Sequence, residues 1–167
     1  MAEPEPGAVF KQIDAETIAA VQKLLAEARH GALATLDPRI GHPLATRVGL
    51  ATEESGHPII FVSGLAAHTL ALLVDPRCSL LIGEVGRGDP LAHRRATFIC
   101  RAREVRRDEP EFAGFLARYV AAQPKAKLYA DLPDFRFFVL AIEHATYNGG
   151  FGKAYQINGQ MLMRPRA

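Results

Sequence analysis

Apolar residues in this chain first recur at helical spacing and later alternate with polar residues as they do in strands. The helical stretch follows Asp14, a residue type that caps helix N-termini, and ends near His30–Gly31; its apolar positions are Ile18, Val21, Leu24, Leu25 and Ala28. Residues 1–12 are acidic and contain proline, so we expect a flexible arm there. No linker or repeat divides residues 13–167, which predicts a single domain.

Short apolar segments separated by turn residues predict that most of the remaining chain forms strands. The segments are 32–36, 42–52, 57–63, 77–84, 95–105 and 135–147, with a last short strand beginning within 148–157. Helical spacing returns after Ser63 and again after Asp108, a candidate cap. Short turns favour antiparallel neighbours, and a closed sheet hides its edges. The pattern predicts a mainly β (α+β) fold, an antiparallel barrel or curled sheet of six or seven strands with outer helices.

Composition excludes several classes of protein. Hydrophobic residues make up 49% of the 167 residues, which is too many for a disordered chain. No apolar run reaches the roughly 18 to 20 residues that a membrane-spanning helix needs, and the N-terminus lacks the features of a signal peptide. We therefore expect a cytoplasmic protein in which Cys78 and Cys100, both inside apolar strands, stay reduced.

Basic residues cluster on the predicted strand at 95–105 and on its flanks, although the net charge of the chain is only +2. The cluster consists of Arg94, Arg95, Arg101, Arg103, Arg106 and Arg107. A solvated strand face explains such a cluster, and nucleic-acid binding is kept as a less favoured alternative.

The sequence contains no pattern for metal binding or for a catalytic nucleophile. The six histidines share no i,i+2 or i,i+4 spacing and no CxxC is present, so we predict no metal site. Ser63 is flanked by Val62 and Gly64 and lacks the GxSxG pattern of a nucleophile elbow. No catalytic side chain is predicted.

Polar residues surround one strand-to-helix corner, in the stretch FVSGLAAHTL at 61–70. Ser63, His68 and Thr69 lie where the predicted strand ends and the helix begins. A helix start offers unpaired N–H groups and the positive end of its dipole, which suits an anion. A helix capped by its own polar residues is the alternative that the segment itself leaves open.

The predicted strand at 42–52 divides its residues between two faces. One face has Leu44, Thr46, Val48 and Leu50, and the other has Ala45, Arg47, Gly49 and Ala51. The second face is small apart from its arginine, so a flat ligand could approach the backbone there. Alternation does not tell which face is outside. A second unusual stretch, GGFGKA at 149–154, predicts a sharp bend or a close backbone approach around Phe151.

The order of these motifs resembles the flavin-binding split-barrel superfamily. The resemblance spans roughly residues 30–157 and rests on PLATRV, FVSGLAAHTLALLVDPRCSLLIGE, a GDPL loop, RATF and NGGFGKA in one collinear order. The chain is most similar to the haem-utilisation branch of the pyridoxamine 5′-phosphate oxidase-like proteins. The resemblance implies a split β-barrel that forms a homodimer, with FMN bound in two clefts between the subunits.

The resemblance also implies particular cofactor-binding residues. Thr46, Arg47 and Val48 match the strand that borders the flavin, and Ser63, His68 and Thr69 match the corner that holds its phosphate. Arg95 matches a flavin-contacting position that often serves the other subunit. Tyr147 and Lys153 match an aromatic and a basic residue near the ring and the substrate. One departure is that Lys153 is the only basic residue where the pyridoxamine oxidases have an Arg-Leu-His-Asp-Arg run that grips the substrate phosphate.

Three functions are compatible with these features. The first is an FMN-dependent oxidoreductase of unidentified substrate, with haem as a candidate; the flavin performs the electron transfer, so no catalytic side chain is needed. The second is a non-catalytic protein that binds FMN or haem for storage, delivery or sensing. The third is nucleic-acid binding through the arginine cluster.

Overall fold

Eight strands form one antiparallel sheet in the computed structural model of the chain, which describes residues 13–150 and 153–164. The strands are β1 (His30–Leu36), β2 (Pro43–Gly49), β3 (Ala51–Thr52), β4 (Pro58–Ser63), β5 (Arg77–Ile82), β6 (Arg95–Val105), β7 (Phe135–Asn148) and β8 (Ala154–Asn158). The α-helices are α1 (Ala15–Glu27), α2 (Ala67–Val74) and α3 (Phe112–Ala122), and three short 3₁₀ turns span Pro90–Ala92, Pro124–Leu128 and Gly159–Leu162. The arm predicted at 1–12 and Phe151 of the glycine-rich turn lie outside the described residues.

The sheet curls because one stretch of chain joins both of its ends. The strand order is β2-β1-β5-β6-β7-β4-β3, with β8 beside β7, and every pair is antiparallel. The predicted strand at 42–52 is divided at Leu50, whose N–H donates to the carbonyl of Arg29 rather than to a strand partner. Before Leu50 the chain pairs with β1, and after it with β4. This change of partner confirms a split barrel and explains why there are eight strands rather than six or seven.

The inner face of the curled sheet holds the larger hydrophobic core. Leu33, Leu80, Phe98 and Leu140 are fully buried there, and Val21 and Leu25 of α1 cover it. Cys78 and Cys100 face each other across β5 and β6, and both are free thiols, as expected for reduced core residues. Burial raises the pKa of both thiols, that of Cys78 to about 12, so they stay protonated and unreactive.

The helices predicted after Asp14 and after Asp108 are both present, as α1 and α3, but only the first of the two predicted caps is confirmed. Asp14 caps α1 as predicted, its Oδ1 accepting from the Thr17 N–H at 2.7 Å, but the helix ends at Glu27 and the chain is already a strand at His30. The cap predicted at Asp108 is wrong, because α3 begins at Phe112 after Glu111, with no side-chain cap. Asp108 instead accepts from Arg106 within a tight turn.

The outer face of the sheet has two halves that differ in what lies over them. The covered half lies under α3 and contains Ile59, Phe61, Val105, Phe137 and Val139. The bare half carries, on registered positions of β2, β1, β5 and β6, the residues Arg47, Ala45, Ala32, Ala34, Leu81, Ser79, Thr97 and Ile99. Leu81 and Ile99 are each 44% exposed, so the bare half presents apolar side chains to solvent. Within the described residues, no helix is long and apolar enough to cross a membrane.

Candidate functional site

A tight turn connects β4 to α2. The polar residues around this turn are Ser63 at the end of β4, His68 and Thr69 in α2, and Thr46 on β2, and we call this group the polar corner. The Ser63 carbonyl accepts from the Ala66 N–H at 3.2 Å and from the Thr69 hydroxyl at 2.7 Å. Thr69 is fully buried, so its hydroxyl closes the turn from inside. The proton of this hydroxyl is therefore already donated within the protein.

The Ser63 hydroxyl is held by a residue that the sequence did not suggest. Ser63 Oγ donates to Asp134 Oδ2 at 2.6 Å and accepts from the Leu65 N–H at 3.2 Å. The Gly64 N–H donates to the Asp134 carbonyl at 2.8 Å. A Cβ on Gly64 would lie 3.0 Å from that carbonyl and 3.1 Å from Arg136 Nη2, which explains the glycine at this position. Asp134 is thus part of the corner by both its main chain and its side chain.

His68 is paired with β2 across the corner. Its Nδ1 lies 3.1 Å from Thr46 Oγ1, and its Nε2 is buried without a partner among the described residues. Burial lowers the pKa of His68, which favours the neutral imidazole. A neutral Nε2 with no partner is a group that a bound ligand can satisfy.

Among the residues that the structure describes, no side chain caps the start of α2. Ala66 occupies the N-cap position and has no side-chain acceptor, so the alternative of a self-capped helix is wrong. The first-turn N–H groups of such a helix favour an anion, and the dipole adds to this preference. The corner therefore fits a phosphate through main-chain donors and His68, while the hydroxyls of Ser63 and Thr69 are already engaged.

The remaining residues of the implied flavin strand point in two directions. Thr46 and Val48 face inward, and Val48 is buried in the core. Arg47 lies on the opposite side of β2, exposed on the bare half. The structure therefore decides the orientation that alternation left open.

Arg95 opens β6 on the side of the bare half. Its Nη1 donates to the carbonyls of Leu91 at 2.8 Å and His93 at 3.3 Å, which holds the guanidinium against the preceding loop. Arg94 has the opposite strand parity and lines a cavity to which Arg95 does not contribute. The side chains of these two neighbouring arginines thus lie on separate surfaces.

Tyr147 and Lys153 lie together in a cleft of about 370 Å³ that we call the tyrosine cleft. Its lining consists of Asp14, Glu16, Thr17, Ala20, Arg94, Tyr147, Gly149, Lys153 and Tyr155. The rings of Tyr147 and Tyr155 stack with centroids 6.1 Å apart. Arg94 and Tyr155 were not among the predicted site residues, although the register of β7 with β8 places Tyr155 opposite Tyr147. None of these described lining residues belongs to the polar corner, so one chain presents separate surfaces rather than one assembled site.

The arginine cluster is mostly engaged within the chain. Arg101 pairs with Glu143, Arg103 with Glu109 and Glu111, and Arg106 with Asp108 and Glu109; Arg107 donates to main-chain carbonyls and lies over the Phe112 ring. Paired arginines have less charge to offer a phosphate backbone, which disfavours the nucleic-acid alternative. The described residues also contain no group of three or more acidic, histidine or cysteine side chains placed to hold a metal ion.

Comparison with known proteins identifies one family and several haem-related relatives. A family model described as pyridoxamine 5′-phosphate oxidase matches residues 17–149. The non-canonical heme oxygenase HOZ of Arabidopsis thaliana is 32% identical over 131 residues, covering 78% of this chain and 39% of that protein. The heme oxygenase HutZ of Vibrio cholerae is 28% identical, covering 78% of this chain and 75% of HutZ.

The similarity extends to three dimensions. The structure of a heme binding protein from Mycobacterium smegmatis superposes with a TM-score of 0.80 at 30% identity, covering 90% of this chain and 61% of that one. The chain thus spans well under two thirds of the Arabidopsis relative and slightly under two thirds of the mycobacterial one.

Proposed function

Since this chain belongs to the pyridoxamine 5′-phosphate oxidase family, we propose that it binds FMN and acts as a flavin-dependent oxidoreductase with a haem-related substrate. The observation that carries this proposal is the uncapped start of α2 beside the partnerless Nε2 of His68. The N–H groups at the helix start are donors, and Nε2 is a donor in the tautomer whose Nδ1 accepts from the Thr46 hydroxyl. A terminal phosphate is an acceptor of the right charge for both.

Within this proposal the chain's own residues hold and orient the cofactor. The N–H groups of Ala67 and His68 in the first turn of α2 and the His68 side chain bind the phosphate, whereas the Thr69 N–H already donates to the Ala66 carbonyl at 3.0 Å. Arg47 and Arg95 on the bare half supply positive charge. Thr46 fixes the imidazole through its hydrogen bond to Nδ1. The flavin supplies the electron transfer, so the protein needs no nucleophile.

The bare half supports a homodimer as part of the proposal. Leu81 and Ile99 are 44% exposed among small residues on an otherwise regular sheet, and a second copy would bury them. Such an interface lies beside Arg47 and Arg95, so it would bring the charged groups of two chains to the same cleft. This explains why one chain by itself presents its candidate residues on separate surfaces.

The second candidate is a non-catalytic haem-binding protein for storage, delivery or sensing. The Mycobacterium relative is named a heme binding protein, which favours this candidate, whereas the Arabidopsis and Vibrio relatives are named heme oxygenases and favour a haem-related reaction. The engagement of Ser63 and Thr69 also favours this second candidate, because fewer hydroxyl donors remain for a phosphate. Pyridoxamine phosphate is not proposed as the substrate, since Lys153 alone replaces a run of basic residues.

The absorption spectrum of the purified protein, alone and after addition of FMN or haemin, separates these functions. Flavin bands with turnover in the presence of a reductant and oxygen would support the oxidoreductase. A Soret band without turnover would support the haem-binding alternative. Equal affinity for riboflavin and FMN in a fluorescence titration would contradict the phosphate assignment at the polar corner.

A further inference from the structure

Asp134 brings a negative charge to the corner where a phosphate is proposed to bind. Its Oδ2 accepts a hydrogen bond from the Ser63 hydroxyl at 2.6 Å, and its carbonyl accepts one from the Gly64 N–H at 2.8 Å. A serine hydroxyl has a single proton, so a hydroxyl that donates to Asp134 cannot also donate to a phosphate. Asp134 therefore competes with the ligand for a donor.

The charge of Asp134 opposes a phosphate as well. An ionised carboxylate is only an acceptor, and it repels a dianion placed within a few ångströms. The nearby Arg136 does not fully offset this charge, because its Nη1 donates to Glu104 at 2.9 Å in a salt bridge. The carboxylate thus lowers the affinity of the corner for a phosphate in two ways.

From this geometry we infer that Asp134 is a specificity-determining residue, which sets how strongly the polar corner prefers a flavin with a terminal phosphate over one without. The inference rests on the proposed function and deepens it. The main-chain hydrogen bond from Gly64 holds the turn without the Asp134 side chain. The side chain is therefore separable from the fold of the corner.

The first test changes only the charge. Asp134→Asn keeps the size of the side chain and an acceptor for Ser63, and Asp131→Asn removes the same charge from an exposed position three residues away. In fluorescence titrations we expect Asp134→Asn to bind FMN roughly tenfold more tightly than the wild type, with riboflavin affinity changed less than about twofold. The control should leave both affinities within about twofold, because exposed charges at a distance are screened.

The second test removes the Asp134 carboxylate, which accepts the hydrogen bond of the Ser63 hydroxyl. In the wild type, Ser63→Ala should change FMN affinity little, because the hydroxyl already donates to Asp134. In an Asp134→Ala background the hydroxyl is free for the phosphate, and Ser63→Ala should then weaken FMN binding roughly tenfold. Thermal unfolding of each variant checks that the corner remains folded.

The outcomes separate this inference from the proposed function. If Asp134→Asn and Asp131→Asn shift FMN affinity equally, or Ser63→Ala has the same effect in both backgrounds, Asp134 has no role in specificity although FMN binding stands. If FMN binds to no variant and not to the wild type, both proposals fail. If FMN binds only after Asp134→Asn, the inference holds, and the natural corner rejects a phosphate.

Discussion

The covered and bare halves of the outer sheet face belong to one continuous sheet, yet they differ in what packs against them. In the covered half, α3 lies over the sheet and aromatic rings pack in several directions around Phe61 and Phe137, whose centroids are 4.4 Å apart. In the bare half, Leu81 and Ile99 are each 44% exposed, and none of the helices within residues 13–150 and 153–164 lies over them. One half of the sheet therefore packs against α3 of the same chain. For the other half we propose that a second copy of the chain packs against it.

We expect this difference to separate stability from the proposed function. Aromatic packing in the covered half contributes to folding of the single chain, since ring pairs add to the burial of large apolar surfaces. The bare half contributes little to the single chain but carries Arg47 and Arg95, two of the candidate cofactor residues. We expect mutations in the two halves to affect different measurements.

The largest expected effect is in the covered half. Phe137→Ala should lower the free energy of unfolding by about 3–5 kcal/mol, because the ring is fully buried among Phe61, Phe112 and Tyr119. Urea unfolding measures this loss. Ile99→Ala in the bare half is the matched control and should cost less than about 1 kcal/mol in dilute protein. Equal losses at the two positions would remove the distinction between the halves.

The next effect concerns assembly through the bare half. Leu81→Asp should raise the dissociation constant of the proposed homodimer by roughly a hundredfold or more, since twofold symmetry buries two unpaired charges. Light scattering should then give a mass near 18.2 kDa, that of one chain. Leu128→Asp, at a residue that is 85% exposed away from the bare half, should leave the mass unchanged. A wild-type protein that is already monomeric at high concentration would contradict the dimer.

Cofactor affinity tests whether the edge of the bare half is functional. Arg95→Ala should weaken FMN binding by roughly ten- to a hundredfold, because a charged hydrogen bond contributes about 1.5–3 kcal/mol. Arg94→Ala should change it little, since Arg94 has the opposite strand parity and does not point to the bare half. Flavin fluorescence quenching measures both constants. If both substitutions lower FMN affinity by the same small factor, Arg95 only stabilises the loop through its hydrogen bonds to the carbonyls of Leu91 and His93.

The smallest expected effect is a pH dependence at the polar corner, where β4 leaves the covered half. Burial lowers the pKa of His68, so the unfolded chain binds more protons than the folded one just below the ordinary histidine pKa of about 6.5. The free energy of unfolding should therefore fall as the pH drops below about 6.5. His68→Gln should reduce this slope in urea titrations between pH 5 and 7.5. Equal slopes in the wild type and the variant would contradict a buried neutral imidazole.

The sequence predicted which residues form much of the candidate site, but not how these residues are arranged. The stretch FVSGLAAHTL predicted a polar corner, and the structure places Ser63, His68 and Thr69 at one turn. Nothing local indicated that Asp134, 71 residues further along the chain, would hold the Ser63 hydroxyl. The only available signal was that Asp134 directly precedes a strand, whose pairing with β4 the sequence did not specify.

The sequence by itself determined the helix α1 with its Asp14 cap, the alternating strands, the buried thiols and the motif order that indicates the family. These features depend on neighbours within a few positions, where backbone geometry sets which residues share a face. Tertiary structure alone decided that the chain changes partner at Leu50, that Arg47 faces outward, and that Asp134 meets Ser63. Such features depend on pairing between distant segments, which packing of the whole sheet selects and local periodicity leaves open.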